Sequence, residues 1–278
     1  MSSACPPSTC EACAANRGRF KRLGLRIDRW DHVVALAGNP NTGKSTVFNR
    51  LTGLRQHTGN WPGKTIARSE GGFAYGDRRY KLIDLPGTYS LRTASPEETV
   101  AREFLLIGRP DVTVIVVDAN CLERNLNLVL QILQIVDRAV LCLNLMDEAR
   151  ANGLAIDSRR LSEDLGIPVV PCAARSGEGM DRLLAEIHAV ATGVRMCRPY
   201  RLQFELPPVR NAIDEIVREL QAAFPGILHP EWIAWRLLEG DRGIVDLVAR
   251  GEIGRLHADL PVSSVSAAGA AHRAVTAK

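Results

Sequence analysis

The chain has 278 residues, 46% of them hydrophobic and 24% charged, with a formal net charge of +4. This is the composition of an ordinary globular protein, long enough for one large domain or a large one plus a small one. So small a net charge gives weak support for a polyanionic partner. No apolar run approaches the ~18–20 residues that cross a bilayer, and no apolar signal core opens the chain, so the expectation is a soluble, cytosolic protein.

Residues 1–30 read as a separate, flexible leader. Six of the thirteen residues from Arg17 to Arg29 are Arg or Lys. A solvated basic linker is the preferred reading over a patch for an anionic membrane or RNA. Cys5, Cys10 and Cys13 fall close together, and Cys10 and Cys13 have metal-ligand spacing, but a tetrahedral site wants four ligands and the next candidate is His32. The odd total of seven cysteines does not suggest a disulfide framework, and Cys121, Cys142, Cys172 and Cys197 read as small core residues.

Residues 31–37, DHVVALA, read as a buried strand, and a helix is expected over 44–52. Between them lies GNPNTGKST: Gly38, Asn39, Pro40, Asn41, Thr42, Gly43, Lys44, Ser45 and Thr46. This is a phosphate-binding loop in its strand–loop–helix setting. Glycines let the backbone wrap a phosphate with its N–H groups turned inward, and the helix start adds positive dipole character. Lys44 would reach the β- and γ-phosphates, and the Ser45 hydroxyl would ligand Mg²⁺.

Further strands are expected at 67–74, 79–85, 112–117, 139–143 and 168–171, with helices at 96–107, 122–135, 158–165 and 180–191. The alternation implies a mostly parallel, six-stranded sheet with helices on both faces, spanning 31–193. Asp84-Leu85-Pro86-Gly87 follows a strand 46 residues after Gly38. At that spacing Asp84 would hold Mg²⁺ through water, and the Gly87 N–H would meet the γ-phosphate. Asn144-Leu145-Met146-Asp147 follows another strand. The Asp147 carboxylate can accept from the N1–H and N2–H₂ edge of guanine, a donor pair that adenine lacks. Cys172, Ala173 and Ala174, after the last strand, could supply a backbone N–H to guanine O6.

After Pro199 the pattern turns helical, with helices expected over 207–224, 230–239 and 242–256. They make a small all-α appendage at 199–257. Residues 258–278 are Ala- and Ser-rich without periodicity and read as disordered.

The set GxxxxGKS, DLPG, NxxD and a late Ala-containing turn resembles the translation-factor-related small GTPases. Gly59-Asn60-Trp61-Pro62-Gly63 before Thr65, the run from Asp84 to Leu91, and Trp235-Arg236-Leu237-Leu238-Glu239-Gly240-Asp241 resemble the cytosolic G domain and helical segment of the FeoB ferrous-iron transporter family. The resemblance covers about residues 31–256. It implies GTP/GDP binding and GTP hydrolysis, with Mg²⁺, linked to iron(II) uptake at the inner face of a bacterial membrane. It makes Thr65 the switch threonine closing on Mg²⁺. It matches Asn41 to an Asn that helps hold K⁺ in potassium-stimulated GTPases, where the cation neutralises transition-state charge. Lys44, Thr65, Gly87 and Asn41 are thus the implied catalytic groups.

Thr88 stands where Ras-like proteins carry a water-orienting Gln, so slow intrinsic hydrolysis is expected. Two features depart from the family pattern. Lys64 replaces a small apolar residue, and Leu145 replaces the Lys of NKxD, which predicts weaker binding and faster exchange. In the family a polytopic permease follows the helical segment. The sequence here stops at Lys278, read as a truncated form or a product working beside a separate permease. A homo-oligomer is compatible with either. A ribosome-assembly or RNA-associated GTPase and a non-enzymatic nucleotide-dependent adaptor are the alternatives. No nucleic-acid partner is expected, because the segment after Pro199 carries neither a basic stripe nor an RNA-binding motif.

Overall fold

The structure is a computed structural model that describes residues 20, 23–27, 29–54, 56–92, 95–202 and 206–255. Cys5, Cys10, Cys13 and the tail 258–278 lie outside the described residues. The chain divides into two compact units at Arg201/Leu202.

The first unit runs β1 (His32–Gly38), α1 (Lys44–Thr52), β2 (Gln56–Asn60), β3 (Ala67–Tyr75), β4 (Arg78–Asp84) and α2 (Pro96–Glu103). A π-helical turn (Phe104–Gly108) leads to β5 (Val112–Asp118), α3 (Leu122–Leu133) and β6 (Ala139–Asn144). Then come α4 (Met146–Ala151), α5 (Ser158–Leu165), β7 (Val169–Pro171) and α6 (Met180–Ala191). The sheet order is β2-β3-β4-β1-β5-β6-β7. β1 pairs parallel with β4 and β5, and β5–β6 and β6–β7 are parallel, while β2–β3 and β3–β4 are antiparallel.

The sheet therefore has seven strands, not six. The extra one, β2, has the sequence QHTGN, which carries no apolar alternation. It is held by backbone pairing to β3, Asn60 opposite Ala67 and Gln56 opposite Gly71. A short polar strand suits the sheet edge, where an apolar one would invite association. Two helical details also differ. The expected helix 96–107 loosens into the π turn at Phe104, and α4 has too few residues for a periodic signal.

The central strands are buried on both faces, as their unbroken apolar runs require. Val34, Leu36, Val114, Val116, Val140 and Cys142 form one core with Val47, Phe48 and Leu51 of α1 and Leu183, Ile187 and Val190 of α6. The intervening Ala35, Ile115, Val117 and Leu141 are also buried, and α3 packs on β1 and β5.

Part of the expected leader lies against this unit. Phe20, Leu25 and Ile27 are buried. Phe20 packs on Phe104 with ring centroids 6.1 Å apart, and Phe104 meets Trp61 edge-on at 5.5 Å. Arg68 donates to the carbonyls of Leu23 (3.0 Å) and Gly24 (3.2 Å). Trp30 lies where a Cβ on Gly72 would come within 2.1 Å of its ring. At the far end, Arg198 and Tyr200 donate backbone N–H groups to Gly166 and Leu165, so the unit extends past residue 193.

Tyr80 is fully buried, stacks on Phe73 (4.9 Å) and shares a 2.6 Å hydrogen bond with His188 Nδ1. Burial pushes its hydroxyl up to about 12. A folded-state value above the unfolded one means that the stability tied to the neutral phenol is present below pH ~10 and lost as pH rises towards 12. We expect alkaline melts to lose on the order of 2–3 kcal/mol across that window. Tyr80→Phe should remove that loss, read by circular dichroism alongside tyrosinate absorbance.

The second unit contains α7 (Pro207–Ala223), α8 (Pro230–Leu238), α9 (Arg242–Ala249) and α10 (Glu252–Arg255). Its buried apolar residues include Ile213, Leu220, Trp232, Ile233, Ile244 and Leu247. Asp241 caps α9 through the Ile244 N–H at 3.2 Å. The last expected helix breaks at Gly251, whose φ of +65° is left-handed.

Candidate functional site

The site is assembled where the carboxyl ends of β1, β4 and β6 meet, the crevice in which open parallel sheets hold ligands. The loop of residues 38–46 leaves β1 and enters α1. Gly38 presses against the next strand: a Cβ there would lie 2.4 Å from the Val116 carbonyl oxygen. Gly43 meets a similar limit, 2.4 Å from Asn144 Nδ2, at a left-handed φ of +78°. No side chain caps α1 at Gly43, so its first N–H groups remain open to an anion. Asn41 is also left-handed (φ +65°) and exposed, which bends successive amides into a concave nest. Inside the loop the Thr42 hydroxyl donates to the Asn39 carbonyl at 3.0 Å, and the buried Asn39 Oδ1 accepts no hydrogen bond.

Asp84 ends β4 opposite Leu36 of β1. The chain then crosses the loop: the Leu85 N–H donates to the Leu36 carbonyl (2.9 Å) and the Thr88 N–H to that of Gly38 (3.3 Å). A Cβ on Gly87 would lie 3.3 Å from the backbone of Pro40. Lys44 Nζ donates to the Asp84 carboxylate and, at 2.7 Å, to the Leu85 carbonyl. Burial raises the Asp84 carboxyl above its ordinary range, opposed by the Lys44 ammonium. The ammonium is thus stationed between the Asp84 carboxylate and the Leu85 carbonyl.

Asn144 is buried and joins two loops. Its Nδ2 donates to the Thr42 carbonyl (2.9 Å), and its Oδ1 accepts from the Ala174 N–H (3.0 Å). Both polar ends of this side chain are thus engaged by the two loops. Leu145 is left-handed (φ +62°) and starts α4, with Asp147 exposed in the first turn. The expected donor role does not fit Cys172 or Ala173. The Cys172 N–H goes to the Leu143 carbonyl (2.7 Å) and that of Ala173 to the Glu178 carbonyl (3.0 Å). A base oxygen would have to share the Ala174 N–H with Asn144 or take that of Arg175, next in the turn.

The structure brings Lys44, Asp84 and Gly87 onto the phosphate loop, with Ser45 adjacent. Thr65 is elsewhere. It is exposed on the turn between β2 and β3, closed by the Trp61 N–H on the Ile66 carbonyl (3.0 Å) and by Lys64 Nζ on Glu103 (3.0 Å). Among the described residues no hydrogen bond links Thr65 to Ser45 or Asp84. Trp61 is buried against Phe104 beneath Arg68, so it packs the loop. Sequence reasoning missed Arg50, which donates to the carbonyls of Ala174 (3.0 Å) and Arg175 (2.6 Å). An Arg on a helix carries no local signal for such a contact.

The donors available to a metal at the loop are hard oxygens: the Ser45 hydroxyl and the Asp84 carboxylate. Among the described residues no group of three or more His, Cys, Asp or Glu is gathered for a metal. The oxygen set suits Mg²⁺ completed by phosphate and water.

A family model described as ferrous iron transport protein B matches residues 32–187. The Fe(2+) transport protein A/Fe(2+) transporter FeoB fusion protein of Porphyromonas gingivalis is 41% identical over 213 residues, covering 75% of this chain and 25% of that protein. The Fe(2+) transporter FeoB of Escherichia coli (strain K12) is 38% identical over 213 residues, covering 75% and 27%. The chain thus spans about a quarter of the length of these relatives. Among solved structures, the cytosolic domain of the T. maritima FeoB iron transporter in a GDP form shares 35% identity at a TM-score of 0.70, covering 87% of this chain and 91% of that one. The cytosolic domain of L. pneumophila FeoB shares 29% at a TM-score of 0.71, covering 88% and 98%.

Proposed function

The chain belongs to the ferrous iron transport protein B family, and on that premise we propose that it binds GTP and GDP, hydrolyses GTP and governs iron(II) movement through a membrane permease. The observation that carries this reading is the Asn144 bridge, which ties the loop of residues 38–46 to the turn after β7. T. maritima FeoB cytosolic domains were solved in GDP and GMPPNP forms, which supports a guanine nucleotide as the occupant. No helix among the described residues is long and apolar enough to cross a membrane. The permease is therefore a partner outside these residues.

Each residue has a defined task in the proposed reaction. The backbone N–H groups of residues 41–46 cradle the phosphates, Pro40 having none to give, and Lys44 swings from Asp84 and Leu85 onto the β- and γ-phosphate oxygens. Asp147 reads the guanine edge. Gly87 packs close to the Pro40 backbone, and its N–H would meet the γ-phosphate. Ser45, Thr65 and Asp84 would hold Mg²⁺, which supplies charge neutralisation on the phosphate oxygens. Thr65 must first leave its present turn, so hydrolysis follows a rearrangement of the β2–β3 connection. Thr88 is buried with its N–H on Gly38, so its side chain packs the loop and does not orient water. A slow intrinsic rate follows. Asn41, exposed on the loop, would hold K⁺ beside the transferring phosphate, supplying the charge that an arginine finger supplies elsewhere.

Single-turnover hydrolysis in KCl against NaCl tests this reading. We expect at least about tenfold faster turnover in K⁺, with Asn41→Ala lowering the K⁺ rate to the Na⁺ rate. Equal, negligible rates in both salts would instead mark an adaptor that only binds nucleotide.

A further inference from the structure

We infer that Arg50 is a positioning residue for purine recognition, clamping the base-facing turn to the helix that follows the phosphate loop. The inference rests on the guanine-nucleotide reading above and assigns to it a residue outside the motifs.

The geometry is specific. Arg50 lies in the last turn of α1, and its guanidinium donates through Nε to the Ala174 carbonyl and through a terminal nitrogen to the Arg175 carbonyl, at 3.0 and 2.6 Å. Two consecutive carbonyls held by one rigid planar fork fix two consecutive peptide planes. In a trans peptide the N–H points opposite to the C=O. Holding the Ala174 oxygen towards α1 therefore aims the Arg175 N–H away from α1. The preceding peptide is set independently, because the Ala174 N–H is held by Asn144 Oδ1 at 3.0 Å.

The rest of the turn closes on itself. Ala173 accepts from the Gly177 N–H (2.9 Å) and the Ser176 hydroxyl (3.0 Å) and donates to Glu178 (3.0 Å). Glu178 is in turn gripped by Arg150 of α4, the helix that carries Asp147, at 2.6 Å. Gly177 flanks the clamp at a left-handed φ of +94°, where a Cβ would make ordinary contact with the guanidinium carbon at 3.7 Å. The peptide that Arg50 holds through the Ala174 carbonyl carries the Arg175 N–H, which a purine 6-oxo group could take, whereas the Ala174 N–H would have to be shared with Asn144. Loss of Arg50 should loosen base contacts and spare the phosphate contacts.

The test is competitive binding of GDP and of ADP to the full chain and to Arg50→Ala and Arg50→Lys. The clamp is partly exposed, so the expected effect is moderate. Arg50→Ala should weaken GDP about tenfold and ADP less than twofold, and Arg50→Lys, which keeps one donated bond, should recover part of the loss. A variant that merely destabilised the domain would weaken both nucleotides together, and that result, or unchanged GDP binding, would overturn the inference. The wild-type chain separates the two levels. If it prefers GDP but Arg50→Ala lowers both nucleotides alike, only the clamp fails. If wild type shows no preference, the guanine reading fails and the clamp with it.

Discussion

Asp147→Asn should exchange guanine for xanthine. On the reading proposed above, the carboxylate would accept two hydrogen bonds from the guanine N1–H and N2–H₂, each charge-assisted and worth about 1.5–3 kcal/mol. An Asn amide at the same place still accepts one, but its NH₂ faces the guanine NH₂, donor against donor. Xanthine carries a carbonyl at that ring position, which the amide donates to. GDP binding should fall about 100–1,000-fold while xanthosine diphosphate gains by a similar factor. Asp147 is exposed on the first turn of α4, so the melting temperature should move little. Competition titrations with the two nucleotides check the exchange directly.

Asn144→Ala should be damaging in a different way. Both polar atoms of Asn144 are used, one on the Thr42 carbonyl and one on the Ala174 N–H, and the side chain is only 1% exposed. Its removal strands a buried acceptor and a buried donor, at about 1–3 kcal/mol each. Because the two partners belong to different loops, the loss also frees the base-facing turn from the phosphate loop. We expect a melting temperature lower by about 5–10 °C and nucleotide release faster by at least 100-fold. Asn144→Asp keeps the acceptor for Ala174 but sets an oxygen against the Thr42 carbonyl. It should therefore recover less than half of the loss in melting temperature. Thermal melts and stopped-flow release of a fluorescent GDP analogue measure both effects.

How legible these features were depends on how local their causes are. The loop from Gly38 to Thr46 announces itself through a local pattern of residue types between a strand and a helix, although the contacts that demand glycine at 38 and 43 come from Val116 and Asn144, far along the chain. The doubly buried strands announce themselves through unbroken apolar runs. β2 could not be read, since QHTGN becomes a strand only by pairing with β3. The packing of Phe20 and Trp30 was equally hidden, because the partners Phe104 and Gly72 lie far along the chain. Asn144 was legible as a member of NxxD, yet its task of joining two loops appears only once Thr42 and Ala174 are seen on either side. For the turn after β7 the residue types named Cys172, Ala173 and Ala174 as amide donors, without showing which of those amides the fold itself takes. Those of Cys172 and Ala173 are consumed by Leu143 and Glu178. The Thr65 turn is held by Trp61, Lys64 and Glu103 rather than by Ser45 or Asp84.

The central claim is that one cavity, walled by the phosphate loop and the base-facing turn, selects a guanine nucleotide. Equilibrium displacement of a fluorescent GDP analogue from the unmodified chain, by GDP and by ADP in parallel, tests it most directly. GDP should displace the probe at concentrations at least 100-fold lower than ADP. Equal displacement by the two nucleotides, or none by either, would contradict it.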